Sequence, residues 1–193
     1  MKSIAVFCAS RLGNDAIYEK SAAEVGKLLA EEGYRIIYGG GRVGLMGVLA
    51  DAALAAGGEV VGVIPHFLDK KEVAHRGLTD LIMVESMHER KLKMSELSEA
   101  VFTLPGGFGT LEELTEMLTW SQLALHQKPI GILNVSGYYD FMEKLFDSML
   151  EKGFLTEDVR RIALFDEDPE RLLQRMNAFD PVHLKGWLDK DKT

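Results

Sequence analysis

The feature that most constrains the fold is an alternation of short apolar runs with longer stretches of helical periodicity. The apolar runs are rich in Val, Ile, Leu and Phe with little polar alternation, which is typical of strands covered on both faces. Six such runs span residues 4–9, 35–38, 59–64, 81–85, 100–104 and 129–134, and a weaker seventh spans 162–165. Helical spacing lies between and after them, over residues 16–32, 45–56, 87–99, 111–125, 139–152 and 169–177. This order predicts an α/β fold, a Rossmann-like doubly wound and mostly parallel sheet of six to seven strands with helices on both faces.

The length of the chain fits a single domain of this kind. A domain usually takes about 100–200 residues, and this chain has 193. No repeat or linker interrupts it, so we predict one Rossmann-like domain over residues 1–180 and a C-terminal tail over 181–193. Cys8 is the single cysteine, and no apolar run approaches the roughly 20 residues of a membrane span. We therefore expect a soluble cytoplasmic protein.

The charge balance limits the ligands that the chain can bind. With 22 basic and 30 acidic residues, the net charge of −8 argues against non-specific binding of nucleic acid. A small anion needs only a local positive field, so it stays allowed. In an open α/β sheet such a ligand binds beyond the carboxyl ends of the strands. Four segments are predicted to lie there, residues 10–14, 39–47, 65–80 and 105–113, of which 65–80 is the longest irregular stretch and a candidate functional loop.

A first glycine-rich loop follows the second predicted strand and contains Gly39, Gly40, Gly41 and Gly44. It matches the pattern Gly-x-Gly-x-x-Gly of dinucleotide-binding proteins. NAD or FAD is nevertheless disfavoured, because no acidic residue ends the next strand and the loop does not follow the first strand. Two interpretations remain. The glycines either permit a tight, closely packed turn or form a backbone nest that faces a ligand, and three consecutive glycines favour the nest.

A second glycine-rich loop, residues 105–110, leads from the fifth predicted strand into a helix predicted to begin at residue 111. Gly106, Gly107 and Gly109 leave backbone N–H groups free to converge on an anion, which the helix dipole also favours. Thr110 adds a hydroxyl donor. No Lys follows the last glycine, so the pattern differs from a triphosphate-binding P-loop and indicates a single phosphate.

Charged residues flank this loop. Glu112 and Glu113 are predicted in the first helical turn, where acidic residues are common because of the dipole. Beside an anion site, however, a carboxylate needs a task, and one is to stabilise an oxocarbenium-like sugar or to activate water when an N-glycosidic bond breaks. Arg90 and Lys91 lie early in another helix, where cations oppose the dipole. They either form a solvated basic face or bind an anion, and Arg90 suits a phosphate or a leaving base.

Other chemistries find less support in the sequence. The five histidines show no metal-ligand spacing and Cys8 has no cysteine partner, so we predict no metal. No Gly-x-Ser-x-Gly motif occurs, which argues against an α/β-hydrolase. We expect no organic cofactor either, because a purine leaves readily from its sugar once it is protonated.

Three motifs carry a resemblance to a known family: Gly39-Gly40-Gly41-x-x-Gly44, Met87-His88-x-Arg90-Lys91 and Pro105-Gly106-Gly107-x-Gly109-Thr110-x-x-Glu113. Together they resemble the LONELY GUY (LOG) family of cytokinin-activating phosphoribohydrolases, long described as lysine decarboxylases. The resemblance extends from residue 4 to about residue 165. It implies a Rossmann-like homodimer that hydrolyses AMP or N6-modified AMP to a free base and ribose 5-phosphate.

The resemblance also implies roles for individual residues. Arg90 and Glu113 correspond to the catalytic pair. The implied substrate contacts are Glu72, Arg90, Lys91, Gly106, Gly107, Phe108, Gly109, Thr110, Leu111, Glu112 and Thr119.

Two alternative functions remain open at this stage. A non-catalytic nucleotide-binding module would use the same loops without needing Arg90 and Glu113 together. A pyridoxal-phosphate lysine decarboxylase would need a Schiff-base lysine, for which Lys91 is the only candidate, and no acidic partner is placed for the pyridine nitrogen. The sequence does not define the preferred base.

Overall fold

The computed structural model describes residues 1–69 and 73–181. In this part of the chain a seven-stranded sheet has the order β4-β3-β2-β1-β5-β6-β7, and every neighbouring pair is parallel. The strands β1 to β7 are Ser3–Phe7, Arg35–Tyr38, Val60–Pro65, Asp80–Val84, Ala100–Thr103, Ile130–Leu133 and Ala163–Asp166. The predicted α/β fold is confirmed, including the weak seventh strand.

Helices cover both faces of the sheet. The helices α1 to α8 are Ala16–Glu31, Gly44–Ala55, His66–Asp69, Met87–Leu97, Phe108–Gln122, Asp140–Glu151, Glu157–Arg160 and Pro169–Asn177. One apolar layer joins α1, α2 and α8 to the sheet, and the other joins α4, α5 and α6 to it. Successive residues of β1 enter opposite layers, Ile4 the first and Ala5 the second. Both faces are therefore buried, which explains why the strand sequences show no polar alternation.

No helix within residues 1–69 and 73–181 is long and apolar enough to cross a bilayer. Residues 182–193 lie outside the described part, so the predicted division into a domain over 1–180 and a tail over 181–193 stays a prediction.

The start of α5 differs from the prediction. The helix begins at Phe108 rather than at residue 111, with Gly107 as its extended N-cap residue at φ −87° and ψ −157°. Glu113 and its neighbour Glu112 consequently lie in the second turn, and the prediction of the first turn was wrong. Gly109 is a weak helix former, which suggested a loop, but the packing of buried Thr110 against Gly106 favours the earlier start.

The segment 65–80, predicted as the longest irregular stretch, is partly ordered into regular structure. Its first and last residues belong to β3 and β4, and α3 follows β3 directly. Ala74 forms an antiparallel bridge with Gly41, and the N–H of His75 donates to the carbonyl oxygen of Gly40 at 2.9 Å. The second half of the segment is therefore attached to the first glycine-rich loop. Residues 70–72 lie outside the described residues.

Candidate active site

A cleft of about 570 Å³ opens at the carboxyl edge of the sheet. This is within the range of small-molecule sites, and it lies where α/β sheets bind ligands. Its walls come from the end of β1 and the residues just beyond it, from the first glycine-rich loop, from the segment that includes Ile64, Leu68 and Val73, from α4 and from the start of α5. Five chain segments that are distant in sequence therefore meet at one place.

Arg90 lies one turn into α4 and is only 8% exposed. Its Nε–H donates to the carbonyl oxygen of Val63 at 3.1 Å, and its Nη2 donates to the carbonyl oxygen of Gly39 at 3.0 Å. Its Nη1 lies 3.9 Å from Oε1 of Glu113. Carbonyl groups of β3 and of the residue after β2 thus fix the guanidinium, and its remaining nitrogen lies between Sδ of Met87, at 3.8 Å, and the carboxylate of Glu113.

Glu113 is nearly buried, with a side chain that is 11% exposed. Burial raises the pKa of this carboxyl above its usual range, and the nearby Arg90 offsets part of that rise. A carboxyl with a raised pKa is better matched to proton transfer near neutral pH. Cys8 also lines the cleft, but burial, with Glu113 as the second cause, raises the pKa of its thiol strongly. Cys8 is therefore protonated and unsuited to act as a nucleophile.

The second glycine-rich loop presents backbone donors to the cleft. The first N–H groups of α5 have no partner inside the helix, and the positive end of the helix dipole lies there. A Cβ atom added to Gly107 or Gly109 would meet no atom within 4 Å, whereas one on Gly106 would lie 2.0 Å from Oγ1 of Thr110. Gly107 and Gly109 therefore border the open space of the cleft, and Gly106 is required for internal packing.

The structure brings only part of the implied substrate contacts to the cleft. Six of them line it: Arg90, Gly107, Phe108, Gly109, Thr110 and Glu112. Among the described residues, four others lie outside its lining: Lys91, Gly106, Leu111 and Thr119. The Oγ1 of Thr119 donates to the carbonyl oxygen of Thr115 at 2.7 Å. Glu72 falls in the stretch 70–72, outside the described residues.

Lys91 contacts two carboxylates instead of the cleft. Its Nζ donates to Glu112 and, at 3.0 Å, to Oε1 of Glu116. Burial lowers the pKa of Lys91, but the hydrogen bonds that it donates to these carboxylates, together with their negative charges, outweigh burial and raise the pKa overall. A Schiff-base lysine needs the opposite shift, because only the neutral amine attacks a carbonyl. This observation weakens the decarboxylase alternative.

Among the cleft residues that the sequence reasoning did not predict as site residues are Ser10 and Arg11, two polar residues just beyond β1. Their segment was placed correctly at the carboxyl edge, but no motif marked either residue. Their position depends on close contact with α2, since a Cβ added to Gly44 would lie 2.2 Å from the carbonyl carbon of Ser10. Within the described residues, no group of three His, Cys, Asp or Glu side chains is placed to hold a metal ion.

Fold and cleft together define a Rossmann-like α/β protein with a cleft of small-molecule size at the carboxyl edge of its sheet. A family model described as "Possible lysine decarboxylase" matches residues 46–176. The chain is 44% identical over 180 residues to LOGL1 of Oryza sativa subsp. japonica, named a probable cytokinin riboside 5′-monophosphate phosphoribohydrolase, covering 93% of this chain and 81% of the relative. It is 40% identical over 182 residues to the cytokinin riboside 5′-monophosphate phosphoribohydrolase LOG2 of Arabidopsis thaliana, covering 94% and 85%. The chain belongs to the LOG family, as its three motifs predict.

A solved structure shares the architecture at much lower identity. The molybdenum cofactor binding protein from Rippkaea orientalis matches with a TM-score of 0.72, over 92% of this chain and 96% of its own, at 21% identity. At that identity the likeness shows the common fold alone.

Proposed function

We propose that this protein is a nucleoside 5′-monophosphate phosphoribohydrolase. It hydrolyses the N-glycosidic bond of AMP or N6-substituted AMP, including cytokinin riboside 5′-monophosphates, and releases the free base and ribose 5-phosphate. Its LOG relatives, named for this activity, support the substrate class. One observation carries the assignment to this site: the Arg90–Glu113 pair and the start of α5 open onto the same cleft. A phosphate bound at α5 therefore brings its sugar close to a carboxylate.

In this proposal the 5′-phosphate binds to backbone N–H groups of Gly107, Gly109 and Thr110. A carboxylate beside a phosphate is unfavourable, and Glu112 lines the same cleft. Lys91 pairs with Glu112 and so offsets its charge. The contribution of Lys91 to substrate binding is therefore electrostatic and indirect rather than a direct contact.

The chemical step divides between Glu113 and Arg90. The bond between C1′ and the base nitrogen breaks, its electron pair leaves with the base, and the base gains a proton. A water oxygen bonds to C1′ and loses a proton. Glu113 either stabilises the positive charge on the sugar or accepts that proton from water. Arg90, whose Nη1 faces the cleft, donates to the phosphate or to the departing base. No metal or organic cofactor enters this scheme.

Direct assay of base release tests the proposal. The protein is incubated separately with AMP and with N6-isopentenyl-AMP, and chromatography detects adenine or the modified base. We expect free base from at least one substrate, and the ratio of the two kcat/KM values defines the preferred base. Binding of both nucleotides without release of either base would contradict the proposal and favour a non-catalytic nucleotide-binding module.

A cytoplasmic homodimer is the assembly and location that we propose with this activity. Apolar side chains exposed on and beyond α4 and α5 support the dimer, among them Leu92 at 51%, Leu123 at 42% and Leu125 at 65%. Met117 is buried in the core and does not contribute to such a surface. Cys8, the single thiol, fits a reducing compartment. Light scattering tests the homodimer, and a monomer at assay concentration would contradict it. Imaging of a tagged chain tests the cytoplasmic location.

A further inference from the structure

Two successive tyrosines reach the second glycine-rich loop from the turn after β6. This turn, Val135–Gly137, contains positive φ angles at Ser136 (51°) and Gly137 (74°). The hydroxyl of Tyr138 donates to the carbonyl oxygen of Gly106 at 2.6 Å. The hydroxyl of Tyr139 donates to the carbonyl oxygen of Leu104 at 2.8 Å. The chain between β5 and α5 is therefore held at two carbonyl groups by a segment more than 30 positions away.

The hydrogen bond from Tyr138 to the carbonyl of Gly106 also affects the direction of the N–H of Gly107. The carbonyl of Gly106 and the N–H of Gly107 belong to one planar peptide and, in the trans form, point in opposite directions. The described residues contain no cis peptide. Tyr138 approaches from a side cavity of about 230 Å³ that it lines together with Gly106 and Gly107. Gly107 also lines the main cleft, to which Tyr138 does not contribute. A carbonyl held toward Tyr138 thus turns the Gly107 N–H away from that cavity.

The peptide needs such a restraint because it joins two glycines, which adopt several backbone conformations with little difference in energy. The ring of Tyr138 is itself restrained by edge-on contacts. Its centroid lies 5.8 Å from that of Tyr18, with an interplanar angle of 79°, and 4.9 Å from that of Tyr139, with an angle of 86°. The donor that fixes the Gly106–Gly107 peptide is therefore held in place.

We propose that Tyr138 is a positioning residue of the phosphate site, whose hydroxyl holds the Gly106–Gly107 peptide with its N–H directed at the 5′-phosphate. This inference rests on the proposed function. Tyr139 provides a matched control within the same chain. Its acceptor, the carbonyl of Leu104, precedes Pro105, which has no N–H to present. The two hydroxyls make similar hydrogen bonds, but only one of them orients a donor.

The experiment compares Tyr138→Phe with Tyr139→Phe. Calorimetry measures the affinity for ribose 5-phosphate, steady-state kinetics give KM and kcat for AMP, and thermal unfolding gives Tm. A misdirected donor loses one charge-assisted hydrogen bond, so we expect Tyr138→Phe to weaken ribose 5-phosphate binding about tenfold and to raise KM alike, with kcat changed less than about twofold. Tyr139→Phe leaves a buried carbonyl unpaired, so we expect a lower Tm. The affinity for ribose 5-phosphate and the KM for AMP should both stay within about twofold of the wild-type values.

Other outcomes overturn the inference. Unchanged affinity in Tyr138→Phe, or equal losses in both variants, would show that the tyrosines only stabilise the loop. Calorimetry measures the binding of ribose 5-phosphate without any turnover, so the role of Tyr138 can be tested even if the protein does not release the base. Wild-type protein that binds ribose 5-phosphate but releases no base would contradict the function and still allow Tyr138 to be judged by affinity. Wild-type protein that does not bind ribose 5-phosphate would contradict both.

Discussion

The two glycine-rich loops look alike in sequence but owe their glycines to different causes. Both lead from a strand into a helix and both contribute to the cleft. In the first loop, a Cβ on Gly39 would lie 1.7 Å from Nη2 of Arg90, and one on Gly44 would meet the backbone of Ser10. In the second loop, a Cβ on Gly107 or Gly109 would meet nothing within 4 Å. In the first loop the protein itself occupies the space beside Gly39 and Gly44, whereas in the second loop the space beside Gly107 and Gly109 belongs to the open cleft and Gly106 alone is packed against protein atoms.

The largest expected effect concerns Glu113, the carboxylate that we propose acts on the ribose. Glu113→Gln keeps the shape of the side chain and removes its charge. If Glu113 acts on the ribose, base release from AMP should fall at least about a hundredfold. Binding of ribose 5-phosphate should change little, and the variant should remain folded. Base release close to the wild-type rate would contradict the catalytic role of Glu113.

A test of the first loop is Gly39→Ala. The new Cβ would force the guanidinium of Arg90 to move and to lose its hydrogen bonds to the carbonyls of Gly39 and Val63. We expect base release to fall about thirtyfold and the free energy of unfolding to fall by about 1–3 kcal/mol, as measured by urea denaturation. Adding Arg90→Ala should restore part of the stability without restoring activity. Full activity in Gly39→Ala would show that the contact is not required.

Gly109→Ala should have the opposite effect on stability. Gly109 lies in the first turn of α5, its φ is not positive, and its Cβ would meet no protein atom. Alanine favours the helix over glycine by up to about 1 kcal/mol, so Tm should stay equal or rise. The methyl group would occupy space next to the proposed phosphate, so KM for AMP should rise about tenfold. A Tm that is kept together with a KM that rises would show that the space beside Gly109 is open in the free protein and occupied when AMP binds. An unchanged KM would mean that the phosphate binds elsewhere.

The sequence was sufficient for the sheet because its signal is local. Runs of Val and Ile without polar alternation indicate strands buried on both faces, as Ile4 and Ala5 in opposite layers show. The reason why the first loop needs glycine could not be predicted in the same way, because the contact between Gly39 and Arg90 joins residues 51 positions apart. The start of α5 was misplaced since the low helix propensity of Gly109 is local, while the packing that overrides it is tertiary.

The hydrogen bond from Tyr138 had no signal in the sequence at all. It depends on the conformation of Ser136 and Gly137, which direct a ring toward a loop 32 positions away. Sequence motifs thus identified residues that line the cleft, whereas the residues that hold them in place became visible only through tertiary contacts.

The smallest expected effect links the two loops through pH. Burial raises the pKa of Glu113 above its ordinary value of 4.5, so the folded protein binds more protons than the unfolded chain once the pH exceeds that value. Stability from this group is therefore present below pH 4.5 and is lost as the pH rises through the raised pKa. The free energy of unfolding, measured by urea denaturation over this window, should decline with pH in wild type more than in Glu113→Gln. Gly39→Ala should extend the decline to higher pH, because a displaced Arg90 no longer offsets the effect of burial on the pKa of Glu113. A decline that ends at the same pH in Gly39→Ala would mean that the first loop does not control the position of Arg90.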